Sequence, residues 1–229
     1  MKKLALLILL VVVAVPMFAD TTVWYNGDFN GVNGLTNEVN TTIPQSYIYD
    51  DFIVPTGGWT LTDAFSNNLM SFSTSNADVE IRSGVSAGNP GTLVYGAYGV
   101  AATQTATGRS GFGYNEYTIE VALPSVYLPA GTYWLAVAPD GSGSGRSFIS
   151  TTSGANCIGL PCGNDDNSFW TSAYYGTYFT PASSGVGFPA DFSMGVSTTG
   201  TSTPEPSTLL LMGTGLLGAV GAFRRKINL

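Results

Sequence analysis

The sequence predicts an all-β fold, a jelly-roll-like β-sandwich, with an N-terminal signal helix and a C-terminal transmembrane helix. Between residues 21 and 203 no helical periodicity of useful length appears, whereas short alternating or aromatic-rich runs recur between Gly, Pro, Asn and Ser. The chain holds 29 glycines and 12% aromatic but only 10% charged residues, which favours a turn-rich β domain over disorder. The missing crossover helices disfavour a parallel α/β fold.

The first nineteen residues are typical of a secretory signal peptide. Lys2 and Lys3 supply the positive start, and the apolar run Leu4–Val15 is long enough for a signal core but too short to span a bilayer. Pro16 ends this helix, and Ala19 offers a small side chain at the cleavage position. We therefore expect export of the chain, with cleavage after Ala19.

Residues 20–198 form the predicted β-sandwich domain. The best strand candidate is Thr132–Ala138, which follows the turn formed by residues 129–131. The candidate strands are Thr22–Tyr25, Tyr47–Val54, Trp59–Phe65, Asp78–Arg82, Thr92–Tyr98, Tyr117–Leu123, Thr132–Ala138, Phe169–Tyr178 and Asp191–Val196. Many short strands with closely spaced turns are typical of two packed antiparallel sheets.

Charge is distributed unevenly along the chain. Five of the eight basic residues lie at the two ends, so the span from residue 20 to residue 198 keeps Arg82, Arg109 and Arg146 against fourteen acids, a formal charge of −11. Such a surface repels phosphate backbones, and we expect no nucleic-acid partner. The chain contains no histidine, which excludes Ser-His-Asp and Cys-His catalysis and histidine-ligated zinc.

Cys157 and Cys162 are the two cysteines of an exported chain, and such a pair predicts a disulfide, with free thiols as the alternative. The following loop, residues 163–168, carries acidic and amide oxygens of the kind that Ca²⁺ binds. Its spacing matches no EF-hand, and Asn-Asp runs are ordinary turn formers. Asp50 and Asp51 point to opposite faces of a strand, so we interpret them as a solvated strand start rather than a chelating pair.

Glycoside hydrolysis is the one catalytic chemistry that the composition leaves open. Glu80, Glu116, Glu120 and Asp51 are the candidate acids, and two carboxyls would have to face one cleft about 5–10 Å apart. Solvent-facing acids on strands are far commoner than catalytic ones. We therefore predict no catalytic residue, no cofactor and no metal site, and we expect that the protein is not an enzyme.

An aromatic cluster lies near the C-terminal end of the domain, at Phe169, Trp170, Tyr174, Tyr175, Tyr178 and Phe179. The favoured interpretation is a half-buried core of strands. The alternative is a glycan-binding platform, because Trp170, Tyr174 and Tyr178 have even spacing and would share one face of a continuous strand.

A polar linker, residues 199–203, leads to a C-terminal tail, residues 204–229. As a helix, the apolar part of the tail would rise about 26 Å, just enough for a bilayer core. The basic end should stay cytoplasmic, which agrees with export of the domain through the front signal. The tail has three parts in order: Pro204-Glu205-Pro206, the apolar stretch 207–223, and Arg224-Arg225-Lys226.

These three parts in this order at the chain end resemble a PEP-CTERM sorting domain. Thr203 stands where a valine often precedes the first proline, a minor departure from the pattern. The resemblance implies a Gram-negative bacterium whose exosortase, a membrane protease, cleaves the tail, and an association with exopolysaccharide. The stretches 49–55, 80–85 and 131–135 also resemble secreted domains found upstream of such tails, which implies a sandwich but no particular activity.

The expected function is that of an exported surface or extracellular matrix protein. The chain would be held transiently in the inner membrane by its C-terminal helix, processed by an exosortase, and then located at the cell surface or outside the cell. The expected non-protein partner is exopolysaccharide. The alternative is a carbohydrate-binding module or a weak glycoside hydrolase delivered by the same route.

Overall fold

The computed structural model describes residues 20–141, 143–163 and 165–199 of the chain. The predicted signal peptide with its cleavage position at Ala19, most of the linker, the Pro-Glu-Pro segment, the predicted helix 207–223 and the basic end all lie outside the described residues. Among the described residues, no helix is both long and apolar enough to cross a membrane.

Fourteen strands and one short helix make up the described domain, Asp20–Thr199. The helix α1 is Ser183–Val186. The strands are β1 (Asp20–Tyr25), β2 (Phe29–Thr36), β3 (Ser46–Val54), β4 (Trp59–Met70), β5 (Asn76–Ser83), β6 (Thr92–Ala101), β7 (Thr103–Gly111), β8 (Tyr114–Leu128), β9 (Gly131–Asp140), β10 (Ser147–Thr152), β11 (Phe169–Ser172), β12 (Thr177–Pro181), β13 (Asp191–Phe192) and β14 (Met194–Thr199).

The strands form two antiparallel sheets, which confirms the all-β prediction. The first sheet has the order β1-β14-β4-β10-β13, with β2 added on β10, β8 on β4, and β7 on β8. The second sheet has the order β12-β11-β3-β9-β5-β6. The jelly-roll form of the connections stays a prediction.

Strand β9 is buried on both faces, which explains why its sequence, Thr132–Ala138, predicted a strand so clearly. Tyr133, Leu135 and Val137 belong to the main core, whereas Trp134 and Ala136 belong to a second apolar cluster. Because side chains alternate along a strand, these two sets lie on opposite faces. A strand buried on both faces reads as a continuous apolar run rather than an alternating one.

The second apolar cluster lies on the face of the second sheet that points away from the main core, and we call it the outer cluster. Its aromatic members come from β3, β9, β11 and β12, and Tyr49 and Phe179 pack with ring centroids 5.0 Å apart. The aromatic residues of the outer cluster are Tyr47, Tyr49, Trp134, Phe169 and Phe179. Strands β3 and β9 of the second sheet therefore carry buried side chains on both faces.

Three strands, β2, β7 and β10, were not predicted from the sequence. Strands β2 and β7 are rich in Gly, Asn, Thr and Ser and resemble loops in sequence. Strand β10 is mostly Ser and Thr, yet it is almost wholly buried because it lies between β4, β2 and β13. Its small hydroxyl residues gave no apolar pattern to detect.

The predicted continuous strand Phe169–Tyr178 is wrong. The chain makes strand β11, turns through residues 173–176, and returns as β12, which pairs antiparallel with β11. Gly176 has φ 66°, a left-handed conformation that glycine adopts without steric cost. Residues 173–176 form a turn and are not extended, so the alternation of faces along a strand does not run from Trp170 to Tyr178.

Candidate functional site

Asp50 and Asp51 lie inside the domain, contrary to the expected solvated strand start. Their exposed fractions are 0% and 3%. The reason is tertiary: β11 pairs with β3 only as far as Tyr49, and the segment before β11, described at residues 157–163 and 165–168, lies along the remaining edge of β3. In this segment, the carbonyl oxygen of Leu160 accepts a hydrogen bond from the Ile53 amide at 2.8 Å. We call the described residues 157–163 and 165–168 the edge loop.

A disulfide between Cys157 and Cys162 closes the first half of the edge loop, as the sequence predicted. The two Cα atoms are 5.6 Å apart, within the usual range for a disulfide. Inside this ring, Ile158 exchanges two backbone hydrogen bonds with Tyr25 of β1, at 2.8 and 2.9 Å. The edge loop is therefore fixed between β1 of the first sheet and β3 of the second.

Asp50 links the two sheets through its carboxylate. Its Oδ2 accepts from the Asn26 side chain at 3.0 Å and from the Phe192 amide at 2.6 Å, and its Oδ1 accepts from the Asp51 amide at 3.1 Å. Burial raises the pKa of Asp50 well above its ordinary value, and the carboxyl of Asp191 adds to the effect. Both oxygens are hydrogen-bonded, so Asp50 has a structural role.

Asp51 and Asp191 are less well satisfied. The Oδ1 atom of each is buried and finds no hydrogen-bond partner among the described residues. The other oxygen of Asp191 accepts from the Asp165 amide at 2.6 Å. Burial raises the pKa of Asp51 to about 7, with the Asp165 carboxyl adding to it. Burial likewise raises the pKa of Asp191 to about 7, and the carboxyls of Asp165 and Asp51 raise it further.

We call Asp50, Asp51, Asp165 and Asp191 the acid cluster. It combines two residues from β3, one from β13 and one from the edge loop, and the carboxyls are near enough for Asp51, Asp165 and Asp191 to raise the pKa of other members. The described arginines are engaged elsewhere. The ion pairs of the described residues are Arg82–Glu80, Arg109–Asp28, Arg109–Glu116 and Arg146–Glu38.

The structure disperses the acids considered for glycoside hydrolysis. Glu80 lies on the outer face of the second sheet and accepts from the hydroxyls of Tyr49 and Tyr98 at 2.8 and 2.6 Å. Glu116 lies on β8 of the first sheet and is fully buried, whereas Glu120 on the same strand is exposed. Glu80 and Glu116, in separate sheets, are each tied to an arginine, so they do not form a carboxyl pair.

The structure places the three residues of the alternative interpretation, a glycan platform, in different surroundings. Trp170 is buried in the main core, where its indole Nε1 donates to Ser46 Oγ at 2.9 Å. Tyr174 and Tyr178 are exposed by 57% and 59%, at and just after the turn between β11 and β12. Tyr175, which the platform hypothesis had left out, packs on Trp170 at 5.1 Å between ring centroids and remains 41% exposed.

An apolar hollow at the β7–β8 hairpin was not detectable from the sequence. Phe112 stands at the hairpin tip with φ 54°, a conformation that a bulky side chain rarely adopts, and is 62% exposed. The hollow has a volume of about 150 Å³ and is lined by Asn33, Gly34, Leu69, Phe112, Tyr114 and Phe148. Its residues come from four strands and the hairpin turn, and the sequence shows no local pattern that would join them.

Comparison with known proteins identifies the C-terminal tail. Residues 202–226 match the family model described as the PEP-CTERM protein-sorting motif, which confirms the resemblance noted in the sequence. The match includes the Pro-Glu-Pro segment 204–206 and the basic end 224–226, and it does not extend into the β domain. No curated protein and no solved structure was found to be similar to this chain.

Proposed function

We propose that the PEP-CTERM motif sorts this chain as an exported protein and that an exosortase removes its tail, leaving the β domain at the cell surface or outside the cell. The observation that supports the proposal is the match at residues 202–226. The domain upstream of the motif is then the part that acts outside the cell.

The layout of both chain ends is consistent with this route. Lys2, Lys3 and the apolar run 4–15 have the pattern of an export signal. At the other end, Pro204 and Pro206 stand directly before a short apolar stretch and a basic end, and prolines favour the kind of extended backbone that a protease can bind. The basic end favours the cytoplasmic side.

The domain has two properties suited to an extracellular location. Its disulfide between Cys157 and Cys162 is the kind of bond that persists in oxidising compartments. Its formal charge of −11 over residues 20–198, with no lysine, favours solubility and disfavours binding to anionic polymers such as nucleic acids.

We further propose that the domain is a matrix component associated with exopolysaccharide and that it is not an enzyme. The dispersed acids support a non-catalytic role, because Glu80 and Glu116 are each held in an ion pair in a different sheet. Export next to the polysaccharide layer would bring the domain to its partner. This role follows from the sorting route rather than from a recognised binding site.

Carbohydrate binding is the second candidate, and one feature of the surface favours it. The hairpin of β11 and β12 presents Tyr174, Tyr175 and Tyr178, all at least 41% exposed. Exposed aromatic rings with polar tips can stack on sugar rings while they donate hydrogen bonds.

Replacing Tyr174 and Tyr178 by alanine should abolish saturable binding to the host exopolysaccharide. Tyr127→Ala, an equally exposed tyrosine on β8, is the matched control and should bind normally.

Replacement of the two tail prolines tests the sorting proposal. Pro204→Ala with Pro206→Ala should leave an unprocessed chain in the inner membrane, because the proline-containing segment that the exosortase would recognise is lost. Thr201→Ala in the linker is the control and should be processed like the natural chain. The measurement is the intact mass of the protein in inner-membrane and external fractions. Normal processing of the proline variant would contradict the proposal.

A further inference from the structure

We propose that the acid cluster beside the edge loop is a binding site for Ca²⁺, with Asp51 and Asp191 as its principal carboxylate ligands. This inference concerns the β domain alone and does not depend on the sorting proposal. It rests on unsatisfied buried oxygens, on the absence of a compensating positive charge, and on the way in which three separate chain segments are held together.

The first observation is the pair of unsatisfied oxygens. Asp51 Oδ1 and Asp191 Oδ1 are buried acceptors without a hydrogen-bond partner among the described residues, and their residues are 3% and 0% exposed. Most buried polar atoms in proteins have a partner, and an unsatisfied buried acceptor is costly. A cation satisfies anionic acceptors where no donor is available.

The second observation is the charge balance. Residues 20–199 contain no lysine and no histidine, and their three arginines pair with other acids among the described residues. The cluster therefore joins three buried acids, Asp50, Asp51 and Asp191, and the exposed Asp165 without a basic side chain among the described residues to offset them. Buried charges in proteins are normally paired or coordinate metals.

The third observation is the fixed placement of the three segments that meet there. The edge loop is closed by its disulfide, and its Gly163 amide donates to Asn26 Oδ1 at 3.0 Å. Trp134 Nε1 donates to the Asn167 carbonyl oxygen at 2.9 Å. The Asp165 amide donates directly to the second carboxyl oxygen of Asp191. The loop is thereby anchored to both sheets on either side of the acids.

The donor chemistry selects calcium. Zinc favours Cys and His ligands, but both cysteines are in the disulfide and the chain has no histidine. Among the described residues, no three acidic side chains already converge as a formed metal centre. Ca²⁺ binds six to eight oxygens in flexible geometry, including amide and backbone carbonyl oxygens and water. Two carboxylates, an oxygen of Asn167 and water can therefore form such a site. Mg²⁺ requires a more regular octahedron.

Thermal unfolding of the full chain in detergent solution tests the proposal. We expect 10 mM CaCl₂ to raise Tm by about 5–10 °C over EDTA if that concentration is about 100 times Kd. MgCl₂ at the same concentration should give a much smaller shift. A calcium-dependent rise that is absent with magnesium supports the site, and an unchanged Tm with calcium overturns it.

Matched variants locate the site. Asp51→Asn with Asp191→Asn should remove the calcium response and, in EDTA, raise Tm because the repulsion between the carboxylates is relieved. Asp63→Asn is the control: Asp63 is also a buried acid with an unpartnered oxygen, but it lies on β4 in the first sheet. This control should keep the full calcium response. A response that survives in the double variant overturns the assignment.

Terbium luminescence gives a readout that does not depend on stability. Tb³⁺ occupies calcium sites, and the indole of Trp134 contacts the edge loop closely enough to transfer energy to a bound ion. Excitation of tryptophan should produce terbium emission that calcium displaces. The emission should fall in Trp134→Phe, where Trp24, whose indole donates to the Pro161 carbonyl oxygen of the same loop at 3.2 Å, can sustain part of it, and it should vanish in Asp191→Asn. Absence of sensitised emission from the natural chain overturns the proposal even where a variant fails to fold.

Discussion

Removal of the disulfide tests how the edge loop is held in place. The perturbation is Cys157→Ala with Cys162→Ala, which opens a ring whose two cysteines are five positions apart. Constraint of a loop of about six residues stabilises a protein by about 2 kcal/mol in the chain-entropy estimate. If the freed loop also loses its two hydrogen bonds between Ile158 and Tyr25, each adds about 1 kcal/mol to the loss.

The expected loss is therefore about 2–4 kcal/mol. For a domain of this size, 1 kcal/mol corresponds to about 2–4 °C in Tm, so Tm should fall by at least about 4 °C. The assay is thermal unfolding followed by circular dichroism, with and without a reductant. The natural chain should lose stability on reduction, whereas the double variant should not respond. A double variant with the Tm of the oxidised natural chain would refute the view that the disulfide fixes the loop.

Three further predictions concern other parts of the domain. Arg109→Met should cost about 3–5 kcal/mol in urea unfolding, because it leaves the fully buried Glu116 without its cation; adding Glu116→Gln should restore much of the loss. Phe112→Asn should raise the free energy of unfolding by about 0.5–1 kcal/mol, since asparagine tolerates the left-handed conformation; a lower Tm would contradict this. Burial raises the pKa of Asp63 to about 6, so its contribution to stability is lost as pH rises from about 4 through 6. Asp63→Asn should remove this decline, and a stability difference from the natural chain that does not change between pH 4 and 8 would count against it.

The parts of the fold that the sequence predicted are those where local pattern and final environment agree. Strand β9 is buried on both faces and reads as an apolar run, and most of β3 follows the same rule. The disulfide follows from the isolated pair Cys157 and Cys162 in an exported chain. The sorting motif is contiguous in sequence and needs no tertiary structure for its detection.

The predictions that were wrong, and the strand that was missed, depend on contacts between distant segments. Asp50 and Asp51 look like a solvated strand start, and they become buried because the edge loop, more than a hundred residues later, covers β3. Four of the six residues of strand β10 are Ser or Thr, and its burial comes mainly from its neighbours in the sheet. The separation of Trp170 from Tyr174 and Tyr178 depends on the turn at residues 173–176, which the even spacing of these aromatic residues does not indicate.

The most direct test of the account is the intact mass of the protein recovered from its native host, fraction by fraction. We expect a form found outside the inner membrane that lacks residues 1–19 and everything beyond about Pro206. Such a mass would establish export and removal of the tail on the same molecule. A mass that retains residues 207–229, found in the inner membrane, would contradict the account and make the tail a plain anchor.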